Sequence, residues 1–284
     1  MEFFIIVWYN KKNASEVNYM DYKQKSKQIR KDILEMIHNA KSGHTGGSLS
    51  CVEILLALYY GCMNVDPKNP EYEDRDRFIM SKGHSCPALY AVLADKGCFD
   101  KSELSKFRKI DGHLQGHPDF RKVKGVDMNT GSLGQGASLA FGLALCAKHK
   151  KRNYKIYALL GDGECQEGIV WEAAMAASHY KLDNLVFILD HNGLQIDGSN
   201  DEVLGIGDIT SKFKSFGFET FDVDGHNVDE LINALKADTN NKPKFINAKT
   251  VKGKGVSFME NNYKWHGKAP NDEELADALK CLEV

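Results

Sequence analysis

Three observations predict an α/β fold built on a doubly wound, mostly parallel sheet. From residue 131 onward, short apolar runs alternate with helix-period segments, the order expected of strands joined by helical crossovers. The segments are long enough for each helix to cover a face of the sheet, so both faces are expected to be buried. At LLGDGECQEG (159–168) an apolar run stops abruptly in Gly161-Asp162-Gly163, as a buried strand does when it reaches a loop at the sheet's edge.

The elements follow in order. Ile29, Ile33, Met36 and Ile37 fall on one face of a helix from about Tyr22 to Ala40. The glycine-rich SGHTGGSLS (42–50) reads as a break before a second helix, CVEILLALYY. RFIMS (77–81) is a short buried strand, and KGHSCPALYAVLADKG continues it as loop and helix. Residues 108–130 lack periodicity and are expected to form a long loop, which in a compact domain is usually a functional element. GSLGQGASLAFGLALCAKHKK is a glycine turn opening a helix rich in small residues. Strand 154–160, helix 167–181 and strand 184–190 come next, then helix DITSKFKSF, strand FETFDV, helix NVDELINALKA and strand KFINAKT. Residues 1–19 read as an N-terminal tail, with Met20 a candidate start, and 20–284 as one domain with a C-terminal extension. There is no internal repeat or low-complexity tract.

Composition removes several classes. The chain has 284 residues, 42% hydrophobic and 27% charged, with a formal charge of −2. That is ordinary for a globular protein and offers no basic field for nucleic acid. Phe3 to Trp8 is too short to span a bilayer and lacks the flanks of a signal peptide. None of the seven cysteines is spaced C-x-x-C, so reduced thiols in a cytoplasmic protein are expected and a structural zinc site is not.

In open α/β sheets, ligands gather at the carboxyl ends of the strands. Asp162 stands at one such end and Asn192, in LDHNGLQIDG, at the next. Residues 164–191 between them suffice for one helical crossover and a strand, so the two side chains face one another if the strands are neighbours. A carboxylate, an amide oxygen and a nearby backbone carbonyl suit a hard cation such as Mg²⁺, Ca²⁺ or Mn²⁺, with positions left open for a diphosphate. Gly161 is read as allowing a sharp turn, and Gly163 as clearing space for a phosphate. TGSLGQG (130–136) opens a helix whose electropositive N-terminus is a second phosphate site. Of ten histidines, His44, His84, His113, His117 and His226 follow a glycine and His266 precedes one. Imidazoles in such loops can shuttle protons and bind hydroxyls near neutral pH. His38, His149 and His179 fall on helix surfaces and are taken as structural. GDGECQEG does not fit G-x-G-x-x-G, and no G-x-x-x-x-G-K-[ST] loop occurs.

The stretches SGHTGGSLS, SKGHSCPALYA, GHLQGHPD, TGSLGQG, DVDGHN and KWHGKAP, spanning residues 42 to 270, resemble in content and order the thiamine-diphosphate-binding domain of the transketolase family. The resemblance implies that Asp162 and Asn192 bind a divalent metal by side chain and Leu194 through its carbonyl. Gly131, Ser132, Leu133 and Gly163 would contact thiamine diphosphate, with His84 and His266 close to its diphosphate. His44, His117 and His266 would handle sugar hydroxyls and protons, while His113 is loop structure. Thr45 stands where many members have proline, and His191 where an acidic residue or asparagine is common; neither change removes a ligand. The implied reaction transfers a two-carbon ketol unit from a ketose phosphate to an aldose phosphate. The Arg-Glu-His segment of the family's pyrimidine-binding domain does not occur here. A second chain, a C-terminal transketolase subunit, is therefore expected to supply that half in an α₂β₂-like assembly. The helices after Glu167 and over 136–148 are candidates for the contact. An α chain of a 2-oxo acid dehydrogenase would lack the GHTGG, KGH and WHG loops. A relative acting on another sugar and a non-catalytic cofactor-binding module stay open.

Overall fold

The structure, a computed structural model, describes residues 20–283; the expected tail at 1–19 lies outside the described residues. The apolar runs become five strands: β1 Arg77–Met80, β2 Ile156–Gly161, β3 Leu185–His191, β4 Glu219–Asp224 and β5 Lys244–Lys249. All pair in parallel, in the order β1-β2-β3-β5-β4. The expected mostly parallel sheet is thus wholly parallel, with β1 and β4 at its edges.

Ten helices surround it among the described residues: α1 Tyr22–Ala40, α2 Thr45–Ser50, α3 Val52–Leu56, α4 Cys86–Asp95, α5 Gln135–His149, α6 Gly168–His179, α7 Asn200–Val203, α8 Ile209–Ser215, α9 Val228–Lys236 and α10 Asp272–Glu283. Alternate strand residues point to opposite faces, and the two cores divide accordingly. Tyr157, Leu159, Val186, Ile188 and Ile246 pack with Ile33 and Ile37 of α1, Leu89 of α4 and Leu231 of α9. Ala158, Leu160, Phe187, Leu189 and Phe245 pack with Ala140 and Ala144 of α5, Ala174 of α6 and Phe213 of α8. Each fully buried Ile, Leu or Phe contributes roughly 1.5–3 kcal/mol. A one-residue slip would send each set of side chains into the other layer, where the spaces do not match. That fixes which residues reach the carboxyl ends of β2, β3 and β5.

Three sequence expectations change. The glycine-rich 42–50 is not simply a break, because Thr45–Ser50 is helical. Its glycines serve close packing: a Cβ on Gly46 would lie 2.9 Å from Lys252 and 3.1 Å from the Trp265 carbonyl. The second helix is divided into α3 and a π-helical turn at Ala57–Cys62. The C-terminal extension ends in a helix that was not anticipated. Its signal was present as N-D-E-E: the Asn271 side chain accepts from Glu274 N at 2.8 Å, and Glu274 accepts from Asn271 N at 2.9 Å, a capping box. Ala278 and Leu282 then close the core over α1. Residues 108–130 do form a long irregular segment. It is pinned to the sheet where Asp127 accepts the Phe78 N–H at 2.7 Å and Thr130 donates to the Met80 carbonyl at 2.7 Å.

Candidate cofactor and metal site

β2 and β3 run side by side, with Gly161 opposite Asp190, so Asp162 and Asn192 emerge at the same end of the sheet. Asp162 is 3% exposed. Its Oδ2 accepts from the backbone N–H groups of Asn192 (3.0 Å) and Gly193 (3.1 Å). Its Oδ1 is buried and has no hydrogen-bond partner among the described residues; the His191 ring nitrogen nearest it is 3.7 Å away. Burial pushes this carboxyl up to about 6, against the pull of His191. An oxygen taken out of water and left unmatched is costly, and a divalent cation would offset that cost. Asn192 and Leu194 line the same cavity, and their amide and carbonyl oxygens would complete an all-oxygen donor set, which suits Mg²⁺, Ca²⁺ or Mn²⁺. These residues therefore fit a metal.

The acid that ties the motifs together is Glu164. It is 1% exposed and accepts from the backbone N–H groups of Gly134 (2.9 Å) and Gly161 (3.1 Å) and from the Ser81 hydroxyl. One carboxylate thus joins the SKGH, TGSLGQG and LLGDG turns. Gly136 can come this close because any Cβ there would collide with Ser81. Gly134 has a left-handed φ of 82° at the N-cap of α5, which favours glycine. Gly161 and Gly163 do not have this conformation. The sharp turn expected of Gly161 is absent: it is the last residue of β2, and a Cβ there would make only ordinary contact with Lys82.

The histidines converge from distant loops. The rings of His44, His84 and His266 form a triangle with centroids 5.1–5.4 Å apart, and His117 packs against Gly131. Burial, helped by Arg108 and neighbouring cations, brings His44 down to about 4. Burial and then Lys252 bring His266 to about 3. His84 is lowered by burial and then Lys82, and His117 by burial and then Arg108. All four are therefore neutral near pH 7, able to accept a proton or a hydroxyl hydrogen bond. Beneath them the fully buried Asp190 holds Lys82 and accepts from Ser50 Oγ at 2.6 Å. Lys82 also donates to the Gly47 carbonyl at 2.9 Å, fixing the floor.

These groups line one cavity of about 400 Å³: His44, His84, His117, His266, Gly131, Leu133, Asp162, Gly163, Asn192 and Leu194 are all on its wall. Ser132 is exposed and does not line it. His113 stands apart, with its ring edge-on to Phe99 and 3.3 Å from Glu103. A larger cleft of about 630 Å³ beside α1 contains Glu53. There the buried carboxylate is already paired with the Arg30 guanidinium at 2.6 and 2.7 Å and bonded to His226 at 2.9 Å, so its charge is already matched by a cation.

Sequence reasoning passed over Lys82, Glu164 and Lys252. The Lys252 ammonium donates to the Leu194 carbonyl at 3.1 Å and faces His266 Nδ1 at 3.3 Å. Burial and then Lys82 lower it to about 8. The signal for it was available: TVKGKG follows directly on β5, and a lysine next to a glycine at a strand's carboxyl end is a candidate anion ligand by the same rule that selected Asp162.

The wholly parallel sheet and the glycine turn that opens α5 at the sheet's carboxyl end define a class, the α/β domains that bind a diphosphate cofactor at the ends of their strands. Residues 22–282 match the family described as "Transketolase, thiamine diphosphate binding domain", and the chain belongs to that family. It is 42% identical over 257 residues to one subunit of the apulose-4-phosphate transketolase of Phocaeicola vulgatus, covering 90% of this chain and 91% of that one. It is 42% identical over 266 residues to the 6-deoxy-6-sulfo-D-fructose transketolase subunit SqwG of a Clostridium species, covering 93% and 97%. A crystal structure of transketolase from Campylobacter jejuni superposes with a TM-score of 0.86 at 34% identity, covering 93% of this chain and 43% of that chain. The chain therefore spans the two subunit relatives almost end to end, but less than half of the Campylobacter transketolase chain. Among the described residues no helix is long and apolar enough to cross a membrane.

Proposed function

We propose that this chain is the diphosphate-binding half of a transketolase that transfers a two-carbon ketol unit between sugars, acting with a second subunit that supplies the pyrimidine half. The observation that carries the reading is the buried, unmatched Asp162 Oδ1 of a residue that lines one cavity with Asn192 and Leu194. Asp162, Asn192 and Leu194 would hold the metal. Lys252, whose ammonium lies at the cavity wall, would pair with a phosphate of the cofactor. Gly131, Leu133 and Gly163 would lie along thiamine diphosphate, with His84 and His266 at its diphosphate. The bound cofactor supplies the carbon nucleophile and electron sink that ketol transfer needs. His44, His117 and His266, neutral and facing the cavity, would take up and return the protons of the sugar hydroxyls.

The names of the two subunit relatives make apulose 4-phosphate and 6-deoxy-6-sulfofructose candidate donors beside the ordinary ketose phosphates. The alternative, another sugar substrate, therefore stays inside the same chemistry. Ketol transfer to ribose 5-phosphate should be measured for the chain alone and with its partner, with xylulose 5-phosphate and the two relatives' sugars as donors and Mg²⁺ and thiamine diphosphate present. Activity is expected only in the complex. Absence of transfer from every donor, in a complex that binds the cofactor, would overturn the catalytic reading.

A further inference from the structure

We infer that Arg108 is a positioning residue that fastens together the two loops carrying His44 and His117; the inference rests on the function proposed above. Arg108 opens the long 108–130 segment with a left-handed φ of 57°. Its N–H donates to the Leu114 carbonyl at 2.9 Å, which folds that segment back over it. The guanidinium then reaches both ways. Nη1 donates to the Ser42 hydroxyl at 3.0 Å, and Nη2 to the Gly116 carbonyl at 3.3 Å. Ser42 is two residues before His44, and Gly116 directly precedes His117.

The fit requires glycine at 116, where a Cβ would lie 2.9 Å from the guanidinium carbon. The third nitrogen, Nε, is buried without a partner. A buried donor is normally matched, so the two outer contacts hold the group in place against that cost. A planar fork holds its donors at fixed separations and directions, a geometry that one ammonium does not reproduce. The fork's charge also opposes protonation of both imidazoles. Lys82, Lys252, His84 and His266 face His44 as well, and they remain when Arg108 is replaced.

The test compares Arg108→Met and Arg108→Lys with the wild type, all as full chains carrying isotope-labelled histidine. The ring resonances of His44 and His117 are assigned through His44→Asn and His117→Asn. Both Arg108 variants should shift those two signals and leave His149 and His179 in place. In the complex with the partner subunit, turnover should fall roughly 10- to 100-fold, the loss expected of a misplaced group, with thiamine diphosphate affinity and melting temperature nearly unchanged. Lysine should not rescue turnover. Unmoved His44 and His117 signals in the methionine variant, or full turnover in the lysine variant, overturn the inference. If the methionine variant fails to fold, the lysine variant carries the same comparison. If the wild-type complex transfers no ketol unit, the proposed function fails, while the imidazole signals still decide the role of Arg108.

Discussion

Lys244 and Lys252 flank one strand, both buried and both brought down to about 8 mainly by burial. They do opposite work. Lys244, at the amino end of β5, donates to the carbonyls of Ala234 (2.6 Å), Leu235 (2.8 Å) and Ala237 (2.8 Å). It therefore closes the carboxyl end of α9, where the carbonyls and the helix dipole favour a cation. Lys252, beyond the carboxyl end, has one carbonyl partner and a neutral imidazole, and faces the cavity. A perturbed lysine is thus no marker of a site by itself. The count of met and unmet hydrogen-bonding groups around it separates the cap from the ligand.

The strongest expectation concerns the acid opposite Lys252. Asp162→Ala should abolish metal-dependent thiamine diphosphate binding in calorimetry; wild-type affinity in that variant would sink the metal assignment. Lys252→Met should weaken cofactor affinity by roughly tenfold or more, the worth of one charge-assisted contact, and leave the melting temperature of the cofactor-free chain unchanged or raised. Lys244→Met should do the reverse. Leaving three carbonyls unmatched costs about 2 kcal/mol of stability, read as a lower urea midpoint at constant cofactor affinity. If both lysine variants behave alike, the distinction between them is wrong. Glu164→Gln turns an amide donor toward one of the two backbone N–H groups that its two oxygens now accept, so a drop of a few degrees in melting temperature with a several-fold loss of affinity should appear together.

The smallest effect is in pH. His44 sits at about 4 and His266 at about 3 in the folded chain, below the roughly 6.5 of a free imidazole. As pH falls, the unfolded chain takes up these protons first. The contribution is therefore whole above about pH 6.5 and drains between there and about pH 4 for His44 and about pH 3 for His266. Melting curves of the cofactor-free chain should show that loss, and His44→Gln should reduce it.

The sheet was legible because an apolar run buried on both faces keeps its signature whatever its neighbours. The ends of β2 and β3 were legible for the same reason, and with them Asp162 and Asn192. Helix α2 was not, because its glycines answer to residues far away in the chain, Gly46 to Lys252 and Trp265 and Gly47 to Ser85. Glu164 looked like one more acid in a polar turn; its partners Ser81 and Gly134 come from other loops. Arg108 lay in a segment without periodicity, where nothing local shows that its guanidinium meets Ser42. What single-sequence reading loses is the set of contacts between loops, and those brace the site.

The two borders of the sheet are guarded differently. On β1, four residues long, Asp127 already takes the Phe78 N–H. On β4, Glu219, Asp222 and Asp224 place three acids along a six-residue strand. Acidic and pre-occupied borders resist the addition of a foreign strand. Growth of the sheet into a continuous ribbon of copies is thereby opposed on both sides.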